Sequence, residues 1–227
     1  MRETGERKEK GFKSWHSNLI SVVEIKNEKL IILSSLFVVF LGFVTSLLNG
    51  RSDHLYRTLV AMVGLSIPLT LSGKLSNPPE KLGPFLSPVY NEKTMAVLSL
   101  FIAVHVSLVN VPFTHYDLFH GEWRNADMIS HFLGGLSVWL IITEILSGLG
   151  SIGIQLTKRQ VVLYSFVVFY ALSLGWEIAE KLSESWIGFI TESLGNKLRD
   201  LLMDTLGALF GLWMVTKKGY PFSPPQE

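Results

Sequence analysis

Six ionisable side chains stand at helical spacing inside, or at the edge of, long apolar stretches. Asp127 and His131 are four apart, Glu177 and Glu180 three apart, and Asp200 and Asp204 four apart, with Asn196 four residues earlier. Spacings of three and four put both members of a pair on one helix face. A helix built this way presents two ligands, or an acid and a base, to one point. Imidazole with carboxylates suits Zn²⁺, and carboxylates with asparagine suit Mg²⁺ or Mn²⁺. Such an ion would supply a nucleophilic water or hold phosphate oxygens. The residues therefore suggest a divalent metal held by His131, Glu177, Asp200 and Asp204, with Asp127 or Glu180 as a supporting group or general base. Simpler roles stand beside this one. Asp127 and Asp200 could be first-turn acids of their helices, and Glu180 could reach headgroup water. His131 and Asp204 lie a full turn inside their stretches, where an ionised group costs about 2.5–3.5 kcal/mol at mid-span. An interior partner is expected for both. His105 is equally a core histidine bonded to a carbonyl or a ligand, and Asn110 lies near it. His115, Asp117 and His120 read as solvated loop residues.

The elements that must position these groups are membrane helices. A span needs about 20 mostly apolar residues, and six stretches approach that: 30–48, 56–73, 94–113, 127–149, 160–180 and 200–216. In lipid the backbone must satisfy its own hydrogen bonds, which selects helix, and the runs do not alternate as barrel strands do. The expected fold is an all-α, polytopic transmembrane bundle of about six spans. The second stretch holds Gly64 and Pro68 and reads as either a kinked span or a re-entrant segment. Residues 1–29 form a basic segment in which Phe12, Trp15, Leu19 and Val22 share one face, the pattern of an interfacial helix. Residues 30–216 form the bundle and 217–227 a tail. The side carrying both termini holds fourteen Lys and Arg and the other side six, which places both termini in the cytoplasm of a cell-membrane protein. With that parity, the paired groups of the last four stretches gather in the outer leaflet, and Glu144 is the main charge in the inner halves. Gly207 and Gly211 form a helix-packing step, less clearly echoed by Gly134 and Val138. Leu182, Trp186, Phe189 and Leu194 read as an interfacial connection.

Composition agrees. The chain has 227 residues, 48% hydrophobic and 17% charged, with formal net charge +1 and no cysteine. The lipid bilayer is the expected partner, and no cationic face for nucleic acid is suggested. Thiolate metal sites, Cys nucleophiles and disulfides are excluded. No P-loop, dinucleotide fingerprint, His-Glu-x-x-His pair or Gly-x-Ser-x-Gly elbow occurs.

The chain resembles the YjdF-type family of uncharacterised prokaryotic polytopic membrane proteins. The likeness is carried by the Asp127–His131 pair followed by Gly135, by Trp176-Glu177 with Glu180, and by Asp200 and Asp204 followed by Gly207; His105 matches a family histidine. Met128 stands where the family often has a basic residue, and Gly195, Asn196 and Lys197 replace a tryptophan-bearing acidic stretch. The pattern is also faintly similar to VanZ-like proteins, which are linked to glycopeptide resistance. The resemblance implies the fold and the site, not a reaction.

Three functions follow from the residues. The first is a metal-dependent enzyme acting on a lipid or lipid-linked phosphate at the outer leaflet. The second is a proton-coupled transporter, since intramembrane Asp, Glu and His also relay protons. The third is a non-catalytic scaffold whose polar groups only lock the helices.

Overall fold

The structure is a computed structural model that describes residues 27–71, 80–109, 126–187 and 193–218. The N-terminal amphipathic segment, Asn110, the 114–123 loop with its two histidines, and Phe189 lie outside these residues. Among the described residues the chain is all helical, with seven α-helices and no strand. They are α1 (Asn27–Leu48), α2 (Ser52–Leu71), α3 (Gly83–Tyr90), α4 (Glu92–Val104), α5 (Ala126–Gly148), α6 (Lys158–Ile187) and α7 (Leu194–Lys218). A π-helical turn, His105–Val109, continues α4.

Within the described residues each of the six apolar stretches falls on a helix, but the boundaries differ for local reasons. Helix α7 begins at Leu194, well before the apolar run, because Ser193 caps it: its Oγ accepts from Asn196 N at 3.2 Å. Asn196, Lys197, Arg199 and Asp200 are therefore first-turn and second-turn helical residues, not loop. Helix α6 likewise runs on to Ile187, past the end of its apolar stretch. The short α3 was not expected. It has Pro at its first turn, where a missing N–H costs nothing. It stops at Asn91, whose side chain accepts from Lys93 N at 3.1 Å and so caps α4.

Among the described residues, three segments are long and apolar enough to cross a membrane: Asn27–Leu48, Asp127–Ile152 and Lys158–Leu182. Helix α6 shows how such a helix divides its surface. Val161, Ser165, Phe169, Ser173 and Glu177 are buried at a strict interval of four, while Leu163, Val167, Leu172 and Trp176 are exposed. A single narrow seam touches protein, and the apolar remainder suits lipid.

Helix α5 is the central element. Leu136, Trp139, Leu140, Ile142, Phe169 and Ala208 form the main core, drawn from α5, α6 and α7. Val39, Leu65 and Ala103 form a second cluster among α1, α2 and α4. Glycines bring α5 and α7 together at backbone range. A Cβ on Gly207 would fall on the Phe132 carbonyl, one on Gly135 on the Asp204 carbonyl, and one on Gly211 at 2.8 Å from the Trp139 ring. The glycine step thus has a defined partner surface. Its seam sets the register that brings His131 opposite Asp204.

Candidate metal centre at one end of the bundle

The N-terminal ends of α5 and α7 and the C-terminal ends of α4 and α6 meet at one end of the bundle, as their side-chain bonds show. His131 Nδ1 lies 3.1 Å from Asp204 Oδ1, joining α5 to α7. Its other ring nitrogen, Nε2, faces Asp127 Oδ2 at 3.6 Å, one turn back on α5. Ser173 of α6 donates to Asp204 Oδ2 at 2.5 Å, so α6 also closes on this carboxylate. Lys197 of α7 reaches back to α6, 3.4 Å from Glu177 Oε2 and 3.2 Å from Glu180 Oε2. His105, at the start of the π turn, holds Ser130 Oγ through Nδ1 at 2.8 Å and joins α4 to α5.

Asp200 is the most enclosed of the acids, only 1% exposed. Asn196 Nδ2 donates to its Oδ2 at 2.9 Å, and Arg199 Nε stands 3.6 Å from its Oδ1. Arg199 is itself pinned by a guanidinium bond to Asn196 Oδ1. These contacts keep the Asp200 side chain turned toward α5. One ligand atom from each of Asp127, His131 and Asp200 falls within 4.8 Å of the others. Two carboxylates and an imidazole at that separation match the donor set of a divalent metal.

The sequence-selected residues thus divide into two adjoining groups. Asp127, His131 and Asp200 converge. Asp204 stands behind His131, on the far side of its ring. Glu177 and Glu180 are gathered around Lys197. The position of Asp204 fits a familiar division of labour: a metal-ligating histidine usually gives its second nitrogen to a carboxylate, which fixes tautomer and ring orientation. The chemistry available at the triad is that of a Lewis acid or of a bound water lowered in pKa, if an ion sits there.

The polar layer also reaches the first two helices, which the sequence presents as plain scaffold. His54 and Thr58 of α2, Ser46 of α1 and Ser107 of the π turn are all buried. A Cβ at Gly42 would stand 3.0 Å from Ser107 Oγ, so α1 packs directly on the turn that carries His105. Counting only ionisable residues within apolar runs overlooks this layer. The signal for it was His54 recurring with Thr58 four residues later.

A family model described as "Predicted membrane protein (DUF2238)" matches residues 28–218. No curated protein and no solved structure matches the chain.

Proposed function

We propose that this chain, which belongs to the DUF2238 family of predicted membrane proteins, is a metal-dependent membrane enzyme acting on a lipid or lipid-linked phosphate at the outer leaflet of the cell membrane. The observation that carries the reading is the convergence of Asp127, His131 and Asp200 to within 4.8 Å, with Asp204 at the second nitrogen of His131. In this reading Asp127, His131 through Nε2, and Asp200 hold a Zn²⁺, Mn²⁺ or Mg²⁺ ion. Asp204 orients the imidazole. Asp127 thereby moves from general base to ligand, and Asp204 from ligand to orienting group. Glu180 and Glu177 line the rim with Lys197.

The outer-leaflet placement rests on six spans with both termini cytoplasmic. Helices α2, α4 with its π turn, and α7 supply the three crossings beyond the clearly apolar ones, and the excess of Lys and Arg on the terminal side supports that parity. A site at this depth meets phosphate headgroups, and its neighbours Trp176, Leu198 and Leu202 are exposed apolar residues suited to lipid chains. The likeness to YjdF-type proteins adds no reaction.

A purely structural reading also has support. His131, Asp204 and Ser173 already form an interhelical network, and such bonds stabilise membrane bundles by about 0.6 kcal/mol each. Metal content of the purified protein separates the two. The enzyme reading expects one divalent ion per chain, retained through gel filtration and lost in Asp200→Asn. Protein that takes up none of the three ions, with Asp200→Asn altering only the melting temperature, would leave the scaffold reading standing.

A further inference from the structure

We propose that Glu177 is a fourth ligand of the Asp127–His131–Asp200 centre, which makes that centre a site for an octahedral ion of the Mn²⁺ or Mg²⁺ kind. This rests on the metal reading above and moves Glu177 from the rim into the coordination sphere. Glu177 belongs to the buried seam of α6, four residues after Ser173. Other members of that seam bond to both neighbouring helices. Ser165 accepts from Thr143 of α5 at 2.9 Å, and Ser173 donates to Asp204 of α7 at 2.5 Å. The seam therefore faces the interface of α5 and α7, where the triad lies. The same two bonds fix the level of Glu177 along the bundle. Helix α6 runs antiparallel to both partners, and each residue advances about 1.5 Å along its axis. His131 is twelve residues before Thr143, and Glu177 is twelve after Ser165. Asp200 is four residues before Asp204, and Glu177 is four after Ser173. The first count brings Glu177 level with His131 and the second with Asp200. His131 is also among the charges that act on Glu177.

The carboxylate itself is half engaged. Its Oε2 is turned to Lys197 Nζ at 3.4 Å, while its Oε1 is buried and accepts no hydrogen bond among the described residues. Only 9% of the side chain is exposed. A carboxylate oxygen left this way is costly, and an ion at the triad completes it. Ligating carboxylates are commonly held in place by an outer hydrogen bond, and Lys197 on Oε2 supplies one. The three helices then repeat a single device, a pair four residues apart: Asp127 with His131, Asp200 with Asp204, and Ser173 with Glu177. On α6 and α7 the deeper members, Ser173 and Asp204, bond to each other, and the outer members are acids.

The donor set decides the ion. Three carboxylates and one imidazole are rich in oxygen, which favours Mg²⁺ and Mn²⁺. A tetrahedral Zn²⁺ with four protein ligands is closed, the form of structural sites. An octahedral ion with the same four ligands keeps two positions for water or phosphate oxygens, and the enzyme reading needs them.

The test uses the full chain purified in detergent and loaded with Mn²⁺, with the waters on the bound ion counted by water-proton relaxation. Wild type should take up one Mn²⁺ per chain carrying at most two waters, and that count needs no variant to fold. Glu177→Ala should add at least one water to the ion. Glu177→Gln, which keeps the shape of the side chain, should bind Mn²⁺ about tenfold more weakly or worse. Wild type that takes up no Mn²⁺ would overturn the metal reading and this one with it. One Mn²⁺ carrying three or more waters in wild type would overturn this proposal alone and leave the three-residue site standing. So would Glu177 variants whose water count and affinity match those of wild type.

Discussion

Helix α5 carries a buried carboxylate system at each end, and the two are built on different plans. At the C-terminal end Glu144, 2% exposed, receives Asn91 Nδ2 at 3.0 Å and Thr94 Oγ1 at 2.7 Å on the same oxygen. Both donors are neutral, and both come from the start of α4. Beside them the Pro84 ring lies against Gly148, where a Cβ would meet it at 3.3 Å. This end is a lock that fixes the α3–α4 corner on α5. At the N-terminal end Asp127 and His131 meet Asp200 and Asp204, and Glu177 and Glu180 stand close by around Lys197. The acids there are answered by side chains that are themselves ionisable, His131, Lys197 and Arg199, which a lock does not require. Burial alone therefore does not mark a site. What distinguishes the two ends is whether the partners of the buried acids are neutral or ionisable.

The largest effect should come from removing what sets the second system in register. Gly207→Ala puts a methyl group onto the Phe132 carbonyl, so α5 and α7 must part. We expect destabilisation of about 3 kcal/mol together with loss of metal binding, read by thermal unfolding in detergent and by metal titration. Unchanged unfolding would mean that the glycine contact does not hold the seam.

Asp204→Asn keeps the shape but weakens the hold on His131 Nδ1. Loss of such an orienting partner typically costs 10–100-fold in metal affinity, and competition with a chelating dye would measure it. An unaltered affinity would detach Asp204 from the metal's support.

Glu144→Ala sharpens the contrast from the other end. It leaves the Asn91 and Thr94 donors buried without their acceptor, at a cost of about 1–3 kcal/mol in stability. Metal affinity should not change. If it fell as far as in Asp204→Asn, the two ends would be one coupled system and the comparison would collapse. The smallest effect belongs to a bond one residue from Glu144, where α5 meets α6. Thr143 Oγ1 donates to Ser165 Oγ at 2.9 Å, and Thr143→Val should cost about 0.6 kcal/mol with metal binding intact.

Much of this arrangement was legible in the chain itself. Pairs at three and four residues inside apolar runs mark helix faces, and the high cost of ionised groups there singles out His131 and Asp204. The gathering of these groups at one end followed from the alternation of helix directions. Their division of labour was not legible. Asp127 and Asp204 are both one helical turn or less from His131 or its opposite, and only the ring orientation decides which carboxylate meets which nitrogen. The role of Glu144 as a lock was also hidden, because Asn91 and Thr94 lie about fifty residues away and read as loop and helix start. Helix boundaries near the site were missed for a related reason. Hydropathy follows the lipid-facing residues, whereas Ser193 and the charged first turn of α7 fold as helix through capping and ion pairs.

On the metal reading proposed above, a divalent ion belongs at the N-terminal end of α5 and not at the Glu144 end. Anomalous scattering from crystals grown with Zn²⁺, collected at the zinc edge, tests it directly. The account predicts a peak about 2.0–2.2 Å from His131 Nε2 and from carboxylate oxygens of Asp127 and Asp200, with Asp204 still on Nδ1. A map without a peak among those three residues, or with its peak at Glu144, would contradict it.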